Sequence, residues 1–249
     1  MLRDFSKEKF DIIILAGQSN AEGYGFGPVE KTFEPNDRIW SLNGDDTISL
    51  AVEKVTGNQI QTTFGLYFAQ EYFKNGHLAE GRNLLILRCA VGGTGFLDNR
   101  WKPEDDLFLH MMEMIRTALQ MNPENRLVAF LWHQGETDAM NHASYEVHFK
   151  HLMTLVQLVR ESFNAAELPF IAGDFVYHWK NANIEICAPV IDAIRDVCRD
   201  CGQGAFVETD ELFSNDQDMV RPGDIIHFSR KSVYELGNRY YAKFVELIC

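Results

Sequence analysis

No stretch of the 249-residue chain approaches eighteen consecutive apolar residues, so no segment reads as a membrane-spanning helix. Positive charge is scarce: 23 Lys and Arg face 36 Asp and Glu, a formal net charge of -13. That balance cannot neutralise a phosphate backbone, so nucleic acid is not an expected partner. The segment Met1 to Phe10 is charged throughout and lacks the apolar centre of a secretory signal. The expectation that follows is a cytoplasmic protein. Disulfide patterning is missing too. The five cysteines (89, 187, 198, 201 and 249) are odd in number and irregular in spacing. Cys198 and Cys201 form one C-x-x-C, but no second pair completes a metal set, and structural thiols are expected. There is no Pro/Ser-rich linker, no repeat and no low-complexity tract, so residues 1–249 read as a single domain.

What is present is enough apolar residue, 46% of the chain, to build a sizeable core. The run Asp11-Ile12-Ile13-Ile14-Leu15-Ala16 is almost continuously apolar and ends at Gly17, the mark of a parallel strand buried on both faces. Leu84 to Val91, Leu127 to Trp132, Pro169 to Phe175 and Ala205 to Glu208 read as four more strands. Between them lie helical patterns. Phe64 to Lys74 closes at Gly76, and Asp106 to Met121 carries Leu107, Met111, Met114, Ile115 and Leu119. Tyr145, Phe149, Leu152, Val156, Val159 and Phe163 alternate steps of four and three. Ile186 to Cys201 and Lys231 to Ile248 complete the set. Strands alternating with helices predict an α/β fold with a parallel sheet. The stretch Glu22 to Gln61 shows little periodicity and is expected to be a long loop over the site.

Four polar clusters punctuate this pattern. Ser19 follows the first strand, and Gly92-Gly93-Thr94-Gly95 follows the second. His133-Gln134-Gly135-Glu136-Thr137-Asp138 follows the third, and Asp224-Ile225-Ile226-His227 precedes the last helix. Carboxyl ends of parallel strands share one edge of the sheet, so the first three clusters converge there. Together they hold what acyl transfer requires. Ser19 is a weak nucleophile until His227 accepts its proton, and Asp224, three residues earlier, can orient the imidazole. Backbone N–H groups of Ser19 and Gly93 suit an oxyanion hole, with the Gln134 amide as a third donor. Each residue also has a plainer reading: a serine N-cap, a glycine turn, a satisfied core histidine. Asp138 reads as an N-cap or loop anchor and His133 as a residue behind the site. His142, His148 and His151 lack a carboxylate or cysteine to complete a metal set, and a solvated face is expected for them. Tyr24, Phe26, Trp40, Trp101, Tyr177 and Trp179 include candidates for a sugar-binding wall.

Gly17-Gln18-Ser19-Asn20, Gly92-Gly93-Thr94, Gln134-Gly135-Glu136-Thr137-Asp138-Ala139 and Asp224-x-x-His227-Phe228 resemble the blocks of the SGNH hydrolase superfamily. The resemblance is to its sialate O-acetylesterase-like branch, which includes carbohydrate esterase family 6, and it covers nearly the whole chain in order. It implies a three-layer α/β/α, flavodoxin-like fold with a central parallel five-stranded sheet. It also implies a serine esterase, free of metal or other cofactor, that deacetylates carbohydrate hydroxyls. By position Ser19 would be nucleophile, His227 base and Asp224 its orienter, with Ser19, Gly93 and Gln134 as oxyanion donors. In this branch Glu136 is the other candidate for the acid partner; the local spacing favours Asp224. Ala21 stands where many members carry Met, a change to a pocket wall. The expected partner is an acetylated carbohydrate, with no nucleic acid and no membrane; the oligomeric state is not encoded in these patterns. Three other functions compete: an idle carbohydrate-binding protein of this fold, an esterase for non-carbohydrate esters, and a lipase. The lipase is disfavoured because G-x-S-x-G is broken at Ala21.

Overall fold

The structure, a computed structural model, describes residues 4–29 and 34–249. Strand β1 (Lys9–Gly17) leads into a four-residue helix α1 (Ser19–Glu22). Five short strands follow: β2 (Gly25–Pro28), β3 (Ile39–Leu42), β4 (Ile48–Leu50), β5 (Lys54–Thr56) and β6 (Gln59–Thr62). Then come α2 (Phe64–Lys74), β7 (Arg82–Arg88), α3 (Asp106–Gln120), β8 (Arg126–His133) and α4 (Glu136–Met140). The remainder is α5 (Tyr145–Ser162), β9 (Phe170–Gly173), α6 (Tyr177–Ala182), α7 (Ile184–Asp200), β10 (Gly204–Val207) and α8 (Arg230–Ile248).

One sheet has the order β10-β9-β8-β1-β7-β3-β4. Pairing is parallel from β10 through β3, and only β4 runs antiparallel. Phe10 to Gly17 are all buried, which explains why β1 shows no alternation: a central strand has no solvent face. Helix α2 packs on α8 and α5 on α7, and both α7 and α8 touch β9 and β10. The five strands expected from the sequence are contiguous in the sheet, but the sheet has seven. Strands β3 and β4 extend it, and β2, β6 and β5 form a second, antiparallel sheet.

All five additions come from Glu22 to Gln61, so the expected irregular loop is corrected to two sheet pieces; residues 30–33 of it lie outside the described residues. These strands escaped the sequence pattern for a physical reason. At three or four residues they are too short to display a period, β3 is buried throughout and β5 exposed throughout.

At the opposite edge of the sheet from the site, Asp11 departs from the apolar run of β1. Its buried carboxylate accepts from Arg82 Nε and Arg126 Nε, both at 2.7 Å, and from Tyr72 Oη at 2.9 Å. This cluster ties β1, β7, β8 and α2 together where no cleft is needed. Burial works to raise the Asp11 carboxyl, and the hydrogen bonds from Arg126, Arg82 and Tyr72 outweigh it and hold it low.

Strand β1 lies between β7 and β8, and the chain leaves it first toward one side and later toward the other. This is a topological switch point, where crossing connections leave a crevice at the carboxyl ends of the strands.

Candidate active site

Ser19 sits two residues past the end of β1, on the crevice. The turn that carries it is fixed by close approach of two strand ends. Gly17 has φ +126°, and a Cβ there would lie 2.2 Å from the His133 carbonyl oxygen. Only glycine fits, and the gap it leaves lets Gln18 N–H donate to that carbonyl at 2.9 Å. Loops after β7 and β8 flank the serine, as parallel topology requires.

His227 Nε2 stands 3.0 Å from Ser19 Oγ, and His227 Nδ1 stands 2.7 Å from Asp224 Oδ1. A carboxylate cannot donate, so Nδ1 carries the ring proton and Nε2 is the acceptor for the serine hydroxyl. The structure therefore brings Ser19, His227 and Asp224 into one hydrogen-bonded chain. Burial works to raise the Asp224 carboxyl; hydrogen bonds from His227 and Asn215 prevail and hold it below the usual carboxylate range.

Asn215 was not singled out by any sequence pattern. Fully buried, it donates to Asp224 Oδ2 at 2.8 Å and to the Tyr24 carbonyl at 2.9 Å, while its Oδ1 accepts from Phe26 N at 3.0 Å. It joins the acid to β2 across about 190 residues of chain, a separation no local signal can span. Asn215→Ala is expected to lower kcat about tenfold to a hundredfold with little change in KM for a small ester, because a lost hydrogen bond to a charged group costs about 1.5–3 kcal/mol. Steady-state kinetics checks this.

The backbone amides of Ser19 and Gly93 are the expected oxyanion donors. Glu22 Oε2 accepts from Gly92 N at 2.6 Å, which holds the Gly-Gly turn beside Ser19. Gly93 adopts φ +70°, the left-handed conformation that turns its amide, and its N–H and that of Ser19 have no acceptor among the described residues. Gln134 differs from expectation. Its side chain is fully buried, with Nε2 donating to Asp138 Oδ2 at 2.9 Å and facing the Thr94 carbonyl at 3.3 Å and Gln18 Oε1 at 3.4 Å. Its amide hydrogens are committed inside the protein, so Gln134 braces the loops and does not present a third donor.

Glu136 is likewise buried and does not contact His227. Its Oε1 accepts from Asn20 Nδ2 at 2.7 Å. Asn20 in turn donates to the Ile226 carbonyl at 3.1 Å and accepts from Phe228 N at 3.2 Å, clasping the chain on both sides of the histidine.

Asp138 accepts from Phe96 N at 3.0 Å and Leu97 N at 2.9 Å, and so anchors the 92–97 loop. His148, expected on a solvated face, is instead buried with Nδ1 3.4 Å from Asp138 Oδ2. It lies four residues before Leu152 and so shares the core stripe of α5. Among the described residues no group of three His, Cys, Asp or Glu is arranged to hold a metal ion.

Of the aromatic candidates, Phe26, Trp40, Trp101 and Trp179 are buried. Tyr24 stacks on His227 with ring centroids 4.8 Å apart and forms a wall of the site. A cavity of about 590 Å³ lies beside the end of α1, lined by Ala21, Glu22, Asn43, Arg88, Val91 and His110 among others and not by Ser19 or His227.

Comparison with known proteins agrees with this architecture. A family model described as carbohydrate esterase, sialic acid-specific acetylesterase, matches residues 9–246. A probable 9-O-acetyl-N-acetylneuraminic acid deacetylase of Escherichia coli (strain K12) is 26% identical over 229 residues, 70% of each chain. A probable carbohydrate esterase of Arabidopsis thaliana is 27% identical over 180 residues, 64% of this chain and 66% of that protein. The crystal structure of NanS superimposes with a TM-score of 0.81 at 18% identity, covering 96% of this chain and 98% of that one, a likeness of fold.

Proposed function

The chain belongs to the sialic acid-specific acetylesterase family of carbohydrate esterases, and from that premise we propose that it hydrolyses O-acetyl esters of sugars by a serine mechanism. Ser19 Oγ attacks the acetyl carbonyl carbon while His227 Nε2 takes its proton, and Asp224 stabilises the imidazolium. The oxyanion forms against the Ser19 and Gly93 N–H groups. Collapse breaks the ester bond, and His227 returns the proton to the departing sugar oxygen. Water, deprotonated by His227, then attacks acetyl-Ser19 and releases acetate, with the proton passing back to the serine.

The observation that carries this reading is the continuous contact from Ser19 Oγ through His227 to Asp224, at 3.0 and 2.7 Å. All five cysteines are free, which fits a reducing cytoplasmic setting and an imported acetylated sugar, acted on by residues 1–249 as one hydrolase domain. No helix among the described residues is long and apolar enough to cross a membrane.

Acetate release from a panel of acetylated sugars, O-acetylated sialic acid included, identifies the substrate. Hydrolysis is expected to survive a chelator and to be abolished by an active-serine reagent. Loss of activity in the chelator, restored by a metal, would overturn the serine mechanism.

A further inference from the structure

Behind the nucleophile lies a buried polar chain that the reaction does not use: Asn20, Glu136, His133 and Tyr240. Tyr240 Oη donates to the Trp132 carbonyl at 2.8 Å, so its lone pair accepts from His133 Nδ1 at 3.0 Å. Nδ1 is then the protonated nitrogen and Nε2 is bare. That bare Nε2 is buried without a hydrogen-bond partner, and Glu136 Oε1 lies 3.8 Å from it. Glu136 Oε2 is also buried and unpartnered. Two orphaned acceptors on neighbouring side chains of one buried chain are the signature of a missing proton, because buried polar groups are paired in native proteins.

Little holds the charged state of Glu136, and burial outweighs it. Its surroundings are Asn20 from α1, His133 from β8, Asp174 beyond β9, Cys187 from α7, His227 from the loop before α8 and Tyr240 from α8. Lys180 is bound to Asp174, and His227 to Ser19 and Asp224. An ionised carboxylate there would be fully desolvated, with only the Asn20 amide and its own backbone N–H to offset the burial.

The geometry points to Glu136 as a positioning residue that works protonated: its carbonyl oxygen accepts from Asn20 while its hydroxyl, after a small rotation of the carboxyl, donates to His133 Nε2. With that one proton every member of the chain is satisfied. Through Asn20, which clasps Ile226 O and Phe228 N, the neutral acid fixes the loop that holds His227. Burial favours the neutral form of both partners, pushing the Glu136 carboxyl up and His133 down to about 3. The role rests on the esterase reading; the protonation state does not.

Two measurements test it with the full chain. In p-nitrophenyl acetate hydrolysis, Glu136→Gln, whose amide reproduces both an acceptor for Asn20 and a donor for His133, is expected to keep kcat within about threefold of the parent. Glu136→Ala loses both and is expected to fall by about tenfold or more. Infrared difference spectra, parent minus Glu136→Gln at neutral pH, are expected to contain the C=O stretch of a protonated carboxyl. A kcat for the glutamine variant as low as that for the alanine variant overturns the positioning role. A carboxylate band in place of the protonated one overturns the protonation state, whether or not the chosen ester is turned over.

Discussion

Ser19→Ala is expected to lower kcat by about four orders of magnitude or more while the protein stays folded, as removal of a triad nucleophile does elsewhere. The magnitude follows from what is lost. Without Oγ no acyl-enzyme forms, and the remaining oxyanion donors can only assist direct attack by water. Structural damage is expected to be small, since among the described residues the deleted atom hydrogen-bonds only to His227 Nε2 and the turn is held by Gly17, Gln18 and Asn20. Circular dichroism and thermal melts should match the parent. Activity near the parental level would remove Ser19 from the reaction.

Asp224→Asn is expected to be the next most damaging change, with kcat lowered by about 10⁴. The amide is the same size, so the Asn215 and His227 contacts can persist in shape. Its NH₂ group, however, can face His227 Nδ1 only as a donor, and the ring then carries its proton on Nε2. A protonated Nε2 cannot accept from Ser19 Oγ. No carboxylate remains to stabilise the imidazolium. A rotated amide would instead place its NH₂ against Asn215 Nδ2, a donor facing a donor. The pH–rate profile and kcat of the variant check this. A mild effect at Asp224 beside a severe one at Glu136→Gln would exchange the roles of the two acids.

Much of the fold was legible in the chain because its main elements obey local periods. The run at Asp11 to Ala16, the three-and-four spacing of α5 and the glycine after α2 each write their geometry into neighbouring residues. The edge strands β3 and β4 and the second sheet do not. They are held by partners far along the chain, such as the pairing of Ile39 with Leu84, and their own three or four residues carry no period.

The site divides along the same line. Asp224 and His227 are three residues apart, so their contact is nearly local and could be read. Whether Glu136 also reached the histidine depended on how α4 lies against α1, and that is set by Asn20, 116 residues away. Gln134 turned inward because Asp138, one helical turn on, offered its amide an acceptor in a dry environment.

By itself, then, the sequence determined a buried central strand ending in a serine, helices of definite phase, and a histidine with an acid within one turn. Tertiary structure alone decided which carboxylate meets the imidazole, that the Gln134 side chain turns inward, and that Asn215 hydrogen-bonds Asp224. Side-chain period is a property of adjacent residues, whereas a hydrogen bond between distant segments exists only once packing has fixed the orientation of both.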